Sequence, residues 1–189
     1  MRQVEVHTVI SAPREAIFDL VADLAARPAF TDHYLTDFRL ARADPYGVGA
    51  AARFRLGPSA TREWGEIEIV EADRPRRIVE RVRIGRLGRS EGLAVYELIP
   101  EAGGSTRVEL TTWNEPATAR DRLRQRGAAG WIKRQSKMAL ERLRLVFEDP
   151  PAGTLARVSV AGYDSANSAR FGTSTGSSPG VAGVAERAG

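Results

Sequence analysis

The sequence predicts an α+β fold in which an antiparallel sheet packs against one long helix near the C-terminal end. Segments of alternating apolar and polar residues follow one another, joined by short turns rich in Gly and Pro, and such short connections make neighbouring strands antiparallel. Residues 117–147 instead carry apolar residues at helical spacing, with an arginine-rich opposite face. At 1.5 Å per residue this helix is about 46 Å long. A helix of this length needs a broad apolar partner surface, which the sheet can supply.

The first half of the pattern begins with a strand and two short helical segments. Residues 2–10 alternate, with Val4, Val6, Thr8 and Ile10 on one side, which predicts a half-buried strand. Ser11 and Pro13 then provide a helix start, and residues 14–24 follow with one apolar face. Pro28 interrupts this helix, so residues 29–35 are predicted to form a second short helix or an ordered loop.

Six further strands are predicted before the long helix. They are bounded by turns such as those at residues 44–47, 57–59 and 101–104, which contain Gly or Pro. The predicted strands span residues 36–41, 51–56, 61–71, 77–84, 91–99 and 106–113. The pattern gives no Gly-rich phosphate loop after a strand, which argues against a nucleotide-binding arrangement.

Composition divides the chain into a folded domain over residues 1–149 and a tail over residues 150–189. The tail is rich in Gly, Ser and Ala and is predicted to be disordered. Its few large side chains leave open the alternative that a segment of it docks on the domain. These side chains are Val158, Val160, Tyr163 and Phe171.

Composition also limits the classes of function. The absence of cysteine excludes disulfides, thiolate zinc sites and a cysteine nucleophile, and only two histidines argue against a histidine metal site. We therefore expect no metal and no cofactor.

The net charge of +4 comes from arginines interspersed with acids, so no nucleic-acid partner is expected. No apolar run is long enough to span a membrane, and the first residues lack a signal-peptide pattern, which predicts a cytoplasmic protein. Transient contact with a membrane or protein stays open.

Three segments resemble the SRPBCC (START-like) superfamily, in particular its polyketide cyclase/dehydrase and lipid-transport group. The segment VEVHTVISAPREAIFDLVADLAARPAF is similar to the first strand and helix of that group, with Phe30 in place of the usual tryptophan. The segments TREWGEIEIVEADRPRRIVERV and YELIPEAGGSTRVEL are similar to two of its strand pairs. The resemblance covers about residues 1–147. The matching residues are Ala12, Pro13, Glu15, Ile17, Phe18, Leu20, Val21, Asp23, Pro28, Trp64, Pro75, Arg77, Leu98, Pro100, Gly103, Gly104, Thr106 and Val108.

This resemblance implies a helix-grip fold, with a curved seven-stranded antiparallel sheet around the C-terminal helix and two short helices after strand 1. It also implies a cavity for an apolar small molecule between the sheet and that helix. Three residues are expected near the entrance, and the others on the inner faces of the strands and helix. They are Phe30, His33 and Tyr34, and then Phe38, Phe54, Tyr96, Leu98, Leu110, Trp131, Ile132, Gln135 and Met138. For each aromatic residue and for Met138, ordinary core packing is the favoured interpretation.

Two of these residues are candidates for catalysis. The ordinary pKa of histidine, near 6.5, suits His33 for acid–base chemistry, and Tyr96 could donate a hydrogen bond to a ligand carbonyl. Each also has a structural alternative, as a polar loop histidine or a tyrosine that reaches the rim. An inward Glu–Arg pair would mark a site, because a buried charge needs a partner. We favour solvent-face cross-strand pairs for the strand charges Glu66, Glu68, Glu80, Arg81 and Arg83.

The leading hypothesis is a protein that binds an apolar lipid-like or polyketide-like molecule without obligatory chemistry. A polyketide aromatase/cyclase or dehydratase is the first alternative, and a protein-interaction module is the second. Inward ionisable groups with shifted pKa values would favour the enzyme. An all-apolar cavity would favour the binding protein, and a cavity filled by side chains would favour the interaction module.

Overall fold

A computed structural model describes residues 2–57, 63–85, 90–115, 119–155 and 157–163, and its elements follow the predicted order. Strand β1 is followed by helices α1 and α2, then by strands β2 to β7, helix α3 and a small hairpin of β8 and β9. The bounds are β1 Arg2–Ile10, α1 Arg14–Ala22, α2 Pro28–Thr31, β2 Leu35–Leu40, β3 Ala51–Leu56, β4 Glu63–Asp73, β5 Arg77–Ile84, β6 Ser90–Pro100, β7 Thr106–Glu115, α3 Ala119–Glu148, β8 Val158–Ser159 and β9 Gly162–Tyr163.

Strands β1 to β7 form one antiparallel sheet in the order β1-β7-β6-β5-β4-β3-β2. The last six strands are a meander, and β1 returns to pair with β7 along its whole length. Register shifts between Thr36 and Arg39 on β2 and between Ile69 and Glu71 on β4 are β-bulges, which bend a sheet. The curved sheet and the long C-terminal helix confirm the predicted α+β helix-grip fold.

The core lies between the inner face of the sheet and the helices. Alternation along the strands places the apolar residues inward, so that Ile67 and Ile69 on β4 and Leu98 on β6 are buried. The described part of α3 packs mainly on β1 and α2. Its buried face is formed by Ser136, Ala139, Leu140, Leu143 and Val146. None of the described helices is long and apolar enough to cross a bilayer.

The end of α1 and the loop that follows it, residues 23–27, are fixed by backbone hydrogen bonds to the loop after β2. The amide of Leu24 donates to the carbonyl of Pro45 at 2.9 Å, and the amide of Gly47 donates to the carbonyl of Ala22 at 3.1 Å. Pro28 then begins α2, a position that suits its fixed φ and its missing N–H. Helix α2 ends earlier than predicted because Leu35 already pairs with Leu56 in the sheet.

Part of the segment predicted to be disordered is ordered. Residues 158–163 contain the β8–β9 hairpin, which packs against β2. The side chain of Val158 is buried, and its amide donates to the carbonyl of Ala25 at 2.8 Å. One apolar residue in a favourable position can therefore anchor a segment whose average composition is that of a disordered chain. Phe171 lies outside the described residues.

Candidate functional site

A buried ion pair joins the α1–α2 loop to the middle of the sheet. Arg27 in the loop and Glu80 on β5 each have only 1% of their surface exposed. The Arg27 Nη2 group donates to Glu80 Oε1 and, at 2.7 Å, to the carbonyl of Val21. Burying either charge alone would be costly, so each side chain needs the other in this position.

Arg27 also fixes Tyr96 on β6. Its Nη1 group donates to the Tyr96 hydroxyl oxygen at 3.0 Å, and its guanidinium carbon lies 5.4 Å from the centre of the Tyr96 ring. The same carbon lies 5.3 Å from the ring centre of Phe30. Because the Tyr96 oxygen accepts from Arg27, its own proton is left to donate to another group. The geometry therefore provides a positioned hydroxyl donor.

Burial is the largest single influence on the pKa values of Arg27, Glu80, Tyr34 and Tyr96. It raises the pKa of Tyr34 to about 12 and raises the pKa of Tyr96 as well, although the Arg27 charge opposes both shifts. Burial also raises the pKa of Glu80, and Arg27 again acts in the opposite direction. For Arg27, burial would lower the pKa, but the Glu80 charge and Tyr96 outweigh it and the pKa is raised. At neutral pH the tyrosines are consequently protonated donors and Arg27 is a cation.

These side chains form part of the wall of a cavity of about 90 Å³ between the sheet and α3. The polar residues that line the cavity are Arg27, Tyr34, Glu80, Tyr96, Thr112, Asn114 and Ser136. The apolar residues are Leu35, Phe54, Leu56, Ile67, Val82, Ile84, Leu93, Ala94, Leu110 and Ile132. The interior is thus apolar with one charged cluster. The cavity is smaller than the roughly 300–1,000 Å³ typical of pockets for drug-sized ligands.

The structure brings some of the predicted liners to the cavity and places others around it. The cavity wall includes Tyr34, Phe54, Tyr96, Leu110 and Ile132. The surrounding core contains Phe30, Phe38 and Leu98. Ligand binding by any of these residues stays a prediction.

Helix α3 places its other three predicted ligand-binding residues differently from Ile132. Trp131 is partly buried and meets the ring of Tyr34 edge-on, with a centroid distance of 6.4 Å. Gln135 is partly buried, and its main-chain carbonyl, not its side chain, contacts His33 just after α2. Met138 is 42% exposed, so its expected position on the inner face is wrong. Ser136 and Ala139 beside it take the inward direction, which leaves Met138 on the outer side of the helix turn.

His33 lies at the contact between α2 and α3 and is not among the residues that line the cavity. Its Nε2 atom is 3.3 Å from the carbonyl of Gln135, where a neutral ring would donate. Burial and the nearby Arg142 charge lower the pKa of His33. The neighbouring Asp32 forms an ion pair with Arg142, which ties α2 to α3. A catalytic role for His33 stays a prediction.

The favoured interpretation of the strand charges is right for the outer face and wrong for Glu80. Glu66 and Glu68 form cross-strand ion pairs with Arg83 and Arg81 on the outer face. Glu80 is buried because β5 places it on the same face as Ile78. That alternation was visible in the sequence and could have identified it. Arg27 had no comparable signal, because it lies in a loop.

Within the described part of the chain, no group of His, Asp and Glu residues is arranged to hold a metal ion.

The fold and the cavity define a helix-grip protein of the SRPBCC type. Residues 1–148 match the family described as polyketide cyclase/dehydrase and lipid transport, and the chain belongs to this family. No curated protein matches the chain in sequence. The family combines binding and catalytic members in its description, so membership supports a ligand-binding or cyclase role without specifying the substrate.

Solved structures show the same fold at low sequence identity. The solution structure of the KanY protein is 17% identical, with a TM-score of 0.61 over 78% of this chain and 97% of KanY. TTHA0849 from Thermus thermophilus is 18% identical, with a TM-score of 0.58 over 76% of this chain and 94% of that protein. DynU16, from the dynemicin biosynthetic locus, is 17% identical, with a TM-score of 0.55 over 78% of this chain and 47% of DynU16. At these identities the likeness concerns the fold alone.

Proposed function

We propose that this protein binds a mainly apolar small molecule, lipid-like or polyketide-like, between the sheet and α3. The ligand's polar group contacts the cluster of Arg27, Glu80 and Tyr96, and no chemistry is required. The observation that carries the proposal is the cavity itself, which has apolar walls and one cluster of fully buried, mutually bonded polar groups. Membership of a family described by cyclases and lipid transport supports the same class of ligand.

The cluster favours a neutral oxygen over a carboxylate as the bound group. The Arg27 charge is already balanced by Glu80, so a second carboxylate would leave a net buried negative charge. The Tyr96 hydroxyl keeps its proton and accepts from Arg27, which leaves it as a donor. A carbonyl or hydroxyl oxygen of the ligand matches such a donor.

The cavity is too small for a ligand larger than a small group unless the space beside α3 widens. About 90 Å³ accommodates only a small group, whereas a molecule with several rings or a chain needs more space. The described part of α3 is held mainly by β1 and α2, at one side of the sheet. The strands β3 to β6 across the cavity hold it less. We therefore expect the ligand to enlarge the space between α3 and these strands.

A cyclase or dehydratase acting on a polyketide-like chain is the second candidate. The specific observation in its favour is the set of inward ionisable groups with shifted pKa values, a feature that favours an enzyme over a passive binding protein. Tyr34 and Tyr96 could supply protons to ligand oxygens. However, Glu80 is the one carboxylate among the described residues lining the cavity, and Arg27 holds it in an ion pair. Arg27 opposes the rise in the pKa of Glu80 and already donates to its Oε1 atom, which disfavours Glu80 as a proton acceptor, and binding is therefore the leading proposal.

The test compares a neutral aromatic ketone with its matched hydrocarbon. Fluorenone and fluorene have nearly the same shape, and their affinities can be measured by displacement of the fluorophore 1-aminoanthracene. Tyr96→Phe should weaken fluorenone by up to about tenfold, the value of one buried hydrogen bond, and leave fluorene unchanged. Tyr46→Phe is the control, because Tyr46 is exposed and bonds Asp19 outside the cavity.

Two outcomes oppose the proposal. If neither compound nor the fluorophore binds the unmodified protein, the cavity is not a site for apolar ligands of this kind. If Tyr96→Phe weakens both compounds equally, Tyr96 affects the shape of the cavity and the polar contact is wrong. Release of a modified product from a poly-β-ketone substrate would favour the second candidate.

A further inference from the structure

We infer that the segment 157–163, here called the strap, fixes the loop 23–27 and thereby positions Arg27 in the cavity wall. Two polar contacts join them. The Arg157 Nη1 group donates to Asp23 Oδ2 at 2.7 Å, and the amide of Val158 donates to the carbonyl of Ala25 at 2.8 Å. Val158 is also 6% exposed, so the strap is anchored by packing as well as by polar contacts.

The strap contacts the groups that give the loop its shape. Asp23 uses its two carboxylate oxygens for different partners, since Oδ1 accepts from the amide of Ala25 at 3.0 Å while Oδ2 accepts from Arg157. The loop is also held by the amide of Leu24, which donates to the carbonyl of Pro45. Two other segments of the chain thus hold the loop, and the strap is one of them.

The loop transmits its position to Arg27 through consecutive turns. The amide of Ala26 donates to the carbonyl of Asp23 at 3.1 Å, and the amide of Arg27 donates to the carbonyl of Leu24 at 3.3 Å. Because Arg27 in turn holds Glu80 and Tyr96, a shift of the loop would move the donor that we propose for the ligand. Arg157 and Val158 are therefore positioning residues, and neither needs to touch a ligand.

The strap lies outside the segment that defines the family. The family match ends at residue 148, whereas the strap begins nine residues later at Arg157. The strap is accordingly not part of the matched domain. The inference rests on the proposed function for its effect on binding, but not for its effect on the loop.

Two truncations separate the strap from the rest of the tail. Truncation after Pro150 removes the strap, and truncation after Asp164 keeps it and serves as the matched control. Hydrogen exchange of the loop amides should become at least about tenfold faster after the first truncation and stay unchanged after the second. Arg157→Ala should have a smaller effect in the same amides, and Arg157→Lys should restore part of the protection.

A spectroscopic measurement reports on Arg27 directly. In the full chain, the guanidinium N–H signals of Arg27 should be protected from exchange, because the side chain is fully buried. Truncation after Pro150 should shift or broaden these signals, and so should Arg157→Ala to a smaller degree. Arg53→Ala, which removes an exposed arginine on the outer face, should leave them unchanged. A role limited to overall stability would lower the melting temperature without this change.

The effect of the strap on ligand binding is measured with fluorenone and fluorene. Arg157→Ala should lower the preference for fluorenone about threefold, and it should have no such effect in the Tyr96→Phe background, because the shared contact is then absent. Unchanged hydrogen exchange of the loop amides after truncation at Pro150 would overturn the inference. It would also be overturned if Arg157→Ala lowered the preference for fluorenone equally in the unmodified protein and in the Tyr96→Phe background. Absence of probe binding to the unmodified protein would overturn the proposed function instead, while exchange and the Arg27 signals still decide on the strap.

Discussion

On strand β5, Glu80 faces into the molecule while Arg81 and Arg83 face out of it, and the two faces of the sheet use their charges differently. The inner face has the Arg27–Glu80 pair, with both side chains almost fully buried. The outer face has a row of alternating charges across β3 to β6, in which the separations are 3.2, 4.0 and 3.5 Å. The row consists of Arg53, Glu66, Arg83 and Glu91.

The difference teaches which charges depend on their partners. On the outer face each side chain can be hydrated if its neighbour is lost, so an exposed pair contributes only about 0.2–1 kcal/mol. On the inner face a lone charge has no water to replace its partner. A buried pair is nevertheless weak support for stability, because apolar residues of similar size often replace it at little cost. The position of the Arg27–Glu80 pair in the cavity wall therefore supports a role in ligand binding.

The largest expected effect comes from removing one member of the inner pair. Arg27→Met leaves Glu80 buried without its cation and should lower the free energy of unfolding by about 3–5 kcal/mol. Urea unfolding followed by circular dichroism measures this loss. The Arg27→Met variant should be less stable at high pH than at low pH, since protonation of Glu80 at low pH removes the unpaired charge.

The double variant Arg27→Met, Glu80→Leu is the control for this prediction. It replaces the pair with apolar groups and should recover most of the stability. It should not recover the preference for fluorenone over fluorene, because Arg27 no longer donates to the Tyr96 hydroxyl and no longer holds it in position. A double variant as unstable as the single one would show that the pair stabilises the fold itself. The position of the pair would then no longer support a role in ligand binding.

Much of the fold could be predicted from the sequence, because alternation and turns are local signals. The strand at residues 77–84 has the predicted bounds, and the inward faces of β4 and β6 are those that alternation gives. Docking of a tail segment was left open, but the small hairpin over residues 158–163 was not predicted, because its stability comes from contacts with Ala25 and with β2, distant in sequence. A segment so short has almost no local pattern.

The site could be predicted only in part. Tyr34, Phe54, Tyr96 and Leu110 were placed near the cavity by alternation and by resemblance, and they do line it. The buried pair could not be predicted, because Arg27 and Glu80 are separated by 53 positions and meet only in the folded structure. Nothing in the sequence of the loop distinguishes Arg27 from a solvated arginine, since the partner that makes its burial tolerable lies on another element.

A smaller effect is expected from His33, whose environment contrasts with that of His7. His33 is partly buried between α2 and α3, whereas His7 is exposed on β1. Burial and Arg142 lower the pKa of His33 from its ordinary value of 6.5. Between that value and the lowered one, the unfolded chain binds a proton that the folded chain does not bind. Stability should thus fall as the pH falls below 6.5 and level off once the lowered pKa is passed.

Substitution of each histidine separates this contribution from other acid effects. His33→Gln should reduce the loss of stability between pH 7.5 and pH 5.5, measured by urea unfolding at each pH. His7→Gln is the matched control and should keep the loss of the unmodified protein. Equal pH profiles for both variants and the unmodified protein would mean that the contact between α2 and α3 accommodates a charged His33 as readily as water does.

The smallest effect is expected on the outer face, at the centre of the row of charges. Glu66→Gln removes the carboxylate between Arg53 and Arg83 but keeps its shape. Both arginines stay hydrated and Arg83 keeps Glu91, so the loss should be below about 1 kcal/mol. Unfolding in 1 M salt should make the variant and the unmodified protein nearly equal in stability, because the Debye length is then about 3 Å and exposed charges farther apart than this are largely screened. A salt-independent loss of several kcal/mol would place the outer row in the same class as Arg27 and Glu80, and burial would no longer explain the difference between the two faces.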